Sequence, residues 1–208
     1  VGLWEHLVHL LAAEVGICTA LTKLISTGEG HHTLLSRRFD RTQEGRRIHF
    51  ASAMTLLGLT DGDDAATGYG YLDIVDFILR GCTDVDANLR ELYRRVAYSI
   101  CIGNSDDHFR NHGFLLTPKG WTLSPAYDMN PTLNDHQSLL ISTSSNKSDL
   151  GILLDACEDY MLDAHEARRI ITEVVNVTRE WRRLAVRLGA SKREVDMFGG
   201  VFEREWKY

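Results

Sequence analysis

The chain has 208 residues, with 44% hydrophobic and 25% charged side chains, and a formal net charge of −6 from 23 Lys and Arg against 29 Asp and Glu. This length suits one domain or two small lobes and can bury a core without disulfide or metal staples. The acidic balance excludes phosphate-backbone binding over the whole surface, so direct DNA binding by this piece is not expected.

The chain opens on Val1 inside a helical pattern, without a basic-then-apolar leader, and is expected to be a piece of a longer protein. Leu3, Leu7, Leu10, Leu11 and Val15 recur at helical spacing, and Gly16 is a stop signal. "ICTALTKLIS" (17–26) and "HTLLSRRFD" (32–40) read as two short strands joined by the hairpin loop "TGEGHH". "RIHFASAMTLLG" (47–58) reads as a short helix ending at Gly58. The polar "TDGDDAATGYG" connects it to an amphipathic helix, "YLDIVDFILRG" (71–81). From Asp86 to Ile102 the helical signal is strong: Leu89, Leu92, Val96 and Ile100 share one face.

"GNSDDHFRN" (103–111) follows directly. Then "HGFLLT" and "WTLSP", around the turn "PKG", read as a second hairpin. Residues 148–160 and 164–190 read as helices, the latter with an apolar stripe of Ile170, Val174, Val177, Trp181 and Leu184. A last helix runs over Lys192 to Trp206. The expected fold class is mostly α, with two small β-hairpins inserted.

The four cysteines, at 18, 82, 101 and 157, show no Cys-x-x-Cys spacing. That predicts neither a zinc site nor a disulfide framework, and fits a reducing, cytoplasmic compartment. No apolar run reaches the roughly 18 residues needed to span a membrane, so no membrane partner is expected.

The segment dense in chemistry is 103–111. A loop with two acids, a His, an Arg and two Asn cannot bury itself without partners. Asp106 and Asn111 stand five residues apart. Asn111 precedes the second hairpin and Asp128 follows it, and antiparallel strands return their outer ends to the same place. Asp106, Asn111 and Asp128 are therefore expected to converge. A hard cation such as Mg²⁺ is held by one or two such oxygens, with water and phosphate in the remaining positions. Phosphoryl transfer of the protein-kinase type uses the same order: a base Asp, an Asn five residues on, and a metal-binding Asp after a hairpin. The bland alternative for all three is turn formation and capping.

The loop "GNSDDHFRNHGFLL" with "LSPAYDMNP", the stretch "RRFDR" (37–41) and "SAMTLLGLTDGD" (52–63) together resemble the HipA-like kinases, toxins of bacterial toxin–antitoxin modules. The resemblance runs end to end but covers only the C-terminal portion of that family. It implies a kinase-like C-terminal lobe of the HipA type, with hinge and hairpin over about 17–41, a helical core over about 42–208, and the N-terminal ATP-gripping lobe absent.

The resemblance further implies ATP and Mg²⁺ as cofactors and serine/threonine kinase activity, with Asp106 as catalytic base. His108 and Arg110 would lie near the transferred phosphate, and Asn111 and Asp128 would be metal ligands. The backbone around Arg37, Arg38 and Phe39 would contact adenine. It also implies an antitoxin partner with a helix-turn-helix and a protein substrate such as a component of the translation machinery. Asp107 receives no role.

Several features read as background. "TGYGY" lacks the third Gly of a phosphate loop. "TDGDD" reads as a solvated loop, and His31 and His32 as exposed loop residues. None of the five Lys fits the strand Lys that grips ATP phosphates, so the isolated chain is expected to be nearly inert. Two alternatives stay open: a catalytically dead module that binds an antitoxin or other subunit, and a small-molecule phosphotransferase.

Overall fold

The computed structural model describes residues 2–28 and 31–208. Val1 and the centre of the "TGEGHH" loop lie outside the described residues.

Helix α1 (Gly2–Glu14) buries Leu3, Trp4, Leu7, Val8 and Leu11, the stripe its spacing dictates. Strands β1 (Thr22–Gly28) and β2 (His31–Ser36) form an antiparallel ribbon in which Leu24 faces Leu34. The strands are shorter than expected. Residues 17–21 run beside the later segment 124–128, with Ala20 N donating to Ala126 O (2.9 Å) and Ala126 N to Cys18 O (2.7 Å). Arg37 to Asp40 lie beyond β2. His31 and His32 begin β2 rather than sitting in the loop.

The expected helix over 47–58 starts later. Phe50–Ser52 form β3, and α2 (Ala53–Leu57) follows, capped at its start by the Ser52 hydroxyl and closed by Gly58. Helix α3 (Tyr71–Gly81) turns Tyr71, Ile74, Val75 and Ile78 into the core. Helix α4 (Val85–Ile102) is the central element, and its last seven residues are all buried.

At Gly103 the chain leaves α4 with φ +67°, and a Cβ would stand 2.5 Å from Val201 Cγ1 and 3.0 Å from Thr132 O. Only glycine satisfies both the left-handed backbone and that approach. The polar loop follows, then β4 (Gly113–Thr117) and β5 (Gly120–Leu123). Strand β4 sits in the middle of a three-stranded antiparallel sheet, pairing β3 on one side and β5 on the other. The expected second hairpin is thus part of a larger sheet.

The helix expected over 148–160 divides into α5 (Leu150–Asp155) and a 3₁₀ turn over Cys157–Tyr160. The one expected over 164–190 divides into α6 (Ala164–Thr178) and α7 (Trp181–Arg187). Thr178 Oγ1 bonds back to Val174 O and Val175 O at 3.0 and 3.1 Å, competition that bends helices. Helix α8 (Lys192–Phe202) stops short of Trp206. The architecture is mostly helical with two small antiparallel sheets, as the sequence predicts. No helix among the described residues is long and apolar enough to cross a membrane.

Candidate active site

The polar loop is a turn between the buried end of α4 and the central strand β4, so both its ends are fixed by core packing. Within it, Asn111 N donates to His108 O at 2.8 Å and closes the turn. Asn111 is 8% exposed, and its Nδ2 donates to the backbone oxygen of Asp128 at 3.3 Å. That contact joins the entrance and exit of the β4–β5 hairpin, the Asn111–Asp128 part of the expected convergence of Asp106, Asn111 and Asp128. Asp128 is exposed, has a left-handed backbone (φ +55°), and takes a hydrogen bond from Asn130 Nδ2 at 3.2 Å.

Asp106 is exposed and faces a different hollow from Asn111, about 220 Å³ in volume. His108 and Arg110 line the same hollow, and Arg110 is ion-paired to Asp61. Asp61, Asp63 and Asp64 also line it. The "TDGDD" segment is a solvated loop, as expected, that also borders this hollow; its proximity depends on a fold-back from α2 that no local pattern reveals.

Arg37, Arg38 and Phe39 line an open, largely apolar hollow of about 330 Å³ with Phe50 and Tyr127. The Arg38 guanidinium is taken up by Asp40 (Nε–Oδ1 2.8 Å, Nη2–Oδ2 2.5 Å). Hydrogen bonding from Arg38, with Arg41 adding to it, holds the Asp40 carboxyl down at about 2. Tyr127 connects this hollow to the loop. Its ring centroid lies 5.5 Å from that of Phe39, and its hydroxyl donates to Arg110 O at 2.5 Å.

Two residues given no role by the sequence stand close by. Glu5 of α1 has its carboxyl pushed up by burial and by the nearby charge of Asp128. Asp107, 4% exposed, is the centre of a buried polar group. Its Oδ2 accepts from Tyr71 Oη (2.8 Å) and Ser99 Oγ (3.0 Å). Its Oδ1 lies 2.9 Å from His112 Nε2. That last contact is close but not aligned as a hydrogen bond, since neither His112 ring nitrogen has an aligned partner. Burial would raise the Asp107 carboxyl; the adjacent His112 imidazole and the hydroxyl donors of Tyr71 and Ser99 outweigh it and hold it below the usual range.

The donor set can be tested against a hard cation. Among the described residues no group of three or more His, Cys, Asp or Glu is placed to hold a metal. Mg²⁺ does not require one: it takes one or two protein oxygens and fills the rest with water and phosphate. The Asn111 Nδ2 is spent on Asp128 O, leaving its Oδ1 as an acceptor, and the Asp128 carboxylate is exposed. The residues fit such an ion.

Residues 2–181 match the HipA-like C-terminal domain family. A Haemophilus influenzae protein described as a candidate kinase is 29% identical over 134 residues, covering 60% of this chain and 39% of that protein. Y4dM of Sinorhizobium fredii, also described as a candidate kinase, is 28% identical over 159 residues, covering 74% of this chain and 38% of its own length. The chain thus spans about two fifths of each of these relatives.

Among solved structures, HipA of Shewanella oneidensis, in complex with HipB and operator DNA, superposes with a TM-score of 0.79 at 16% identity. The superposition covers 98% of this chain and 53% of that one. The Helicobacter pylori proinflammatory kinase CtkA gives a TM-score of 0.61 at 12% identity, covering 97% and 81%. Sharing a kinase-like fold with both, and a family match over most of its length, this chain belongs to the HipA-like C-terminal domain family.

Proposed function

We propose that this chain carries the catalytic loop of an ATP- and Mg²⁺-dependent kinase that phosphorylates a protein Ser or Thr hydroxyl, acting as the toxin of a toxin–antitoxin module. The observation that carries the reading is the contact between Asn111 and Asp128 across the β4–β5 hairpin, with the exposed Asp106 five residues before Asn111. Asn111 Oδ1 and the Asp128 carboxylate would hold the metal. When bound, Mg²⁺ neutralises phosphate charge and orients the terminal phosphoryl group.

Asp106, open to solvent, accepts the proton of the attacking hydroxyl. Arg110 supplies positive charge at the rim, held in place by Asp61 until a phosphate competes for it. His108, with Nε2 at 3.5 Å from an Arg110 nitrogen, orients that guanidinium. The apolar hollow at Arg37–Phe39 would take an adenine ring, with the backbone of Arg37, Arg38 and Phe39 and the rings of Phe39 and Tyr127 as the groups that would hold it. A helix-turn-helix antitoxin is the proposed partner; the complex of the Shewanella protein with HipB supports it.

The test is radiolabelled phosphate transfer by the full-length protein. Asp106→Asn is expected to lower the rate by about 10²–10⁴, the usual contribution of a general base. A full-length wild type that transfers nothing, or an Asp106→Asn variant as fast as wild type, overturns the reading.

A further inference from the structure

Adjacent acids in the polar loop point in opposite directions. Asp106 is exposed; Asp107 is buried and meets side chains from three other places in the chain. Tyr71 reaches it from the start of α3, Ser99 from the last turn of α4, and His112 from the residue before β4. All three are themselves buried. A carboxylate removed from water is costly unless its lone pairs are met, and a surface turn has no need of one.

The arrangement also has a direction. Positions 107 and 112 bracket the residues that carry His108, Arg110 and Asn111, so the buried pair ties the two ends of that segment together. The Tyr127 hydroxyl on Arg110 O and the Asn111 contact to Asp128 O hold the same segment from the other side. Asp106 is covalently next to the anchored residue, and its direction follows from the backbone that Asp107 fixes.

We propose that Asp107 is a positioning residue for phosphoryl transfer, and that Tyr71, Ser99 and His112 hold its carboxylate so that Asp106 and Asn111 keep their reacting geometry. This rests on the kinase reading above. Displacements of about 1 Å at a reacting centre can cost on the order of 10²-fold in rate.

Three variants of the full-length protein separate the possibilities: Tyr71→Phe, which removes one hydroxyl and keeps the ring that packs edge-on against His112; Asp107→Asn; and Asp106→Asn as the reference. The readouts are single-turnover transfer at saturating ATP, KM for ATP, thermal unfolding, and amide hydrogen exchange over residues 104–113. Tyr71→Phe is expected to stay folded, keep KM for ATP within about threefold, and lose at least roughly tenfold in transfer rate, the scale of other orienting contacts. Exchange should quicken in the loop and stay unchanged in α6. Asp107→Asn should lose more.

Unchanged rates in both variants, or losses matched by the unfolded fraction or by KM alone, overturn the positioning role while leaving the kinase reading intact. A wild type without activity, or an Asp106→Asn variant that equals it, removes the kinase reading and this inference with it.

Discussion

Glu5 and Asp128 set two carboxylates near each other at the mouth of the site, and the electrostatics of that placement can be read as stability. Burial first, and the Asp128 charge second, raise the Glu5 carboxyl above its ordinary value of 4.5. Between that value and the raised one the native state binds more protons than the unfolded chain, so stability falls as pH rises through this window and the penalty is complete above it. Glu5→Gln is therefore expected to raise the melting temperature near neutral pH by about 1–2 °C, a small effect because Glu5 is only half-buried and water screens it. The gain should vanish below the ordinary Glu value, which calorimetry across pH would check. Residue-scale chemistry was only partly legible. Asp106, Asn111 and Asp128 stand out because their spacing around a hairpin is a local pattern. Asp107 sits beside Asp106 with the same side chain, and only the turn of the backbone decides which one faces water.

At the scale of elements, the site depends on β4 holding its place between β3 and β5. Gly113 opens β4, and a Cβ there would meet the Phe50 ring at 2.2 Å and Ser124 Oγ at 2.8 Å. Neither can withdraw freely: Phe50 belongs to β3, and Ser124 N donates to Gly113 O. Gly113→Ala is expected to cost about 1–3 kcal/mol by overpacking and to disturb the β3–β4 register; urea unfolding measures the first. The sheet also hangs on α4. Asn88, buried, donates to Thr83 O (2.7 Å) and accepts from Leu123 N (2.7 Å), linking the α4 start to β5. Removing its side chain strands a buried Leu123 N–H, so Asn88→Ala should cost about 2–3 kcal/mol in the same assay. Strand β3 escaped the sequence because three residues carry too little periodicity. Its strand character comes from β4, about sixty residues away in sequence.

At the scale of the whole molecule, α1 is closed against the C-terminal helices by aromatic packing. Trp4 lies 4.2 Å from Phe198 between ring centroids, and Trp181 stacks on Phe202 at 4.8 Å. Helix α8 lies beyond the family-matched residues 2–181, yet it supplies half of this cluster. Phe202→Ala should therefore cost about 3–5 kcal/mol in denaturant unfolding, as for other buried aromatic truncations; a loss under about 1 kcal/mol would show α8 to be a loosely held appendage.

By itself the sequence determined the helices whose apolar faces repeat within a few residues, such as α1, α3 and α4. It also determined the turn at Pro118–Gly120 and the linear order of acid, amide and acid around a hairpin. These are properties of neighbours along the chain, written in periodicity and turn chemistry. Tertiary structure alone decided that "TDGDD" borders the hollow of Asp106, that β3 joins the sheet, and that Asp107 faces inward. Each of those depends on which distant groups arrive to satisfy a buried polar atom or fill a gap, and no local pattern encodes the arrival.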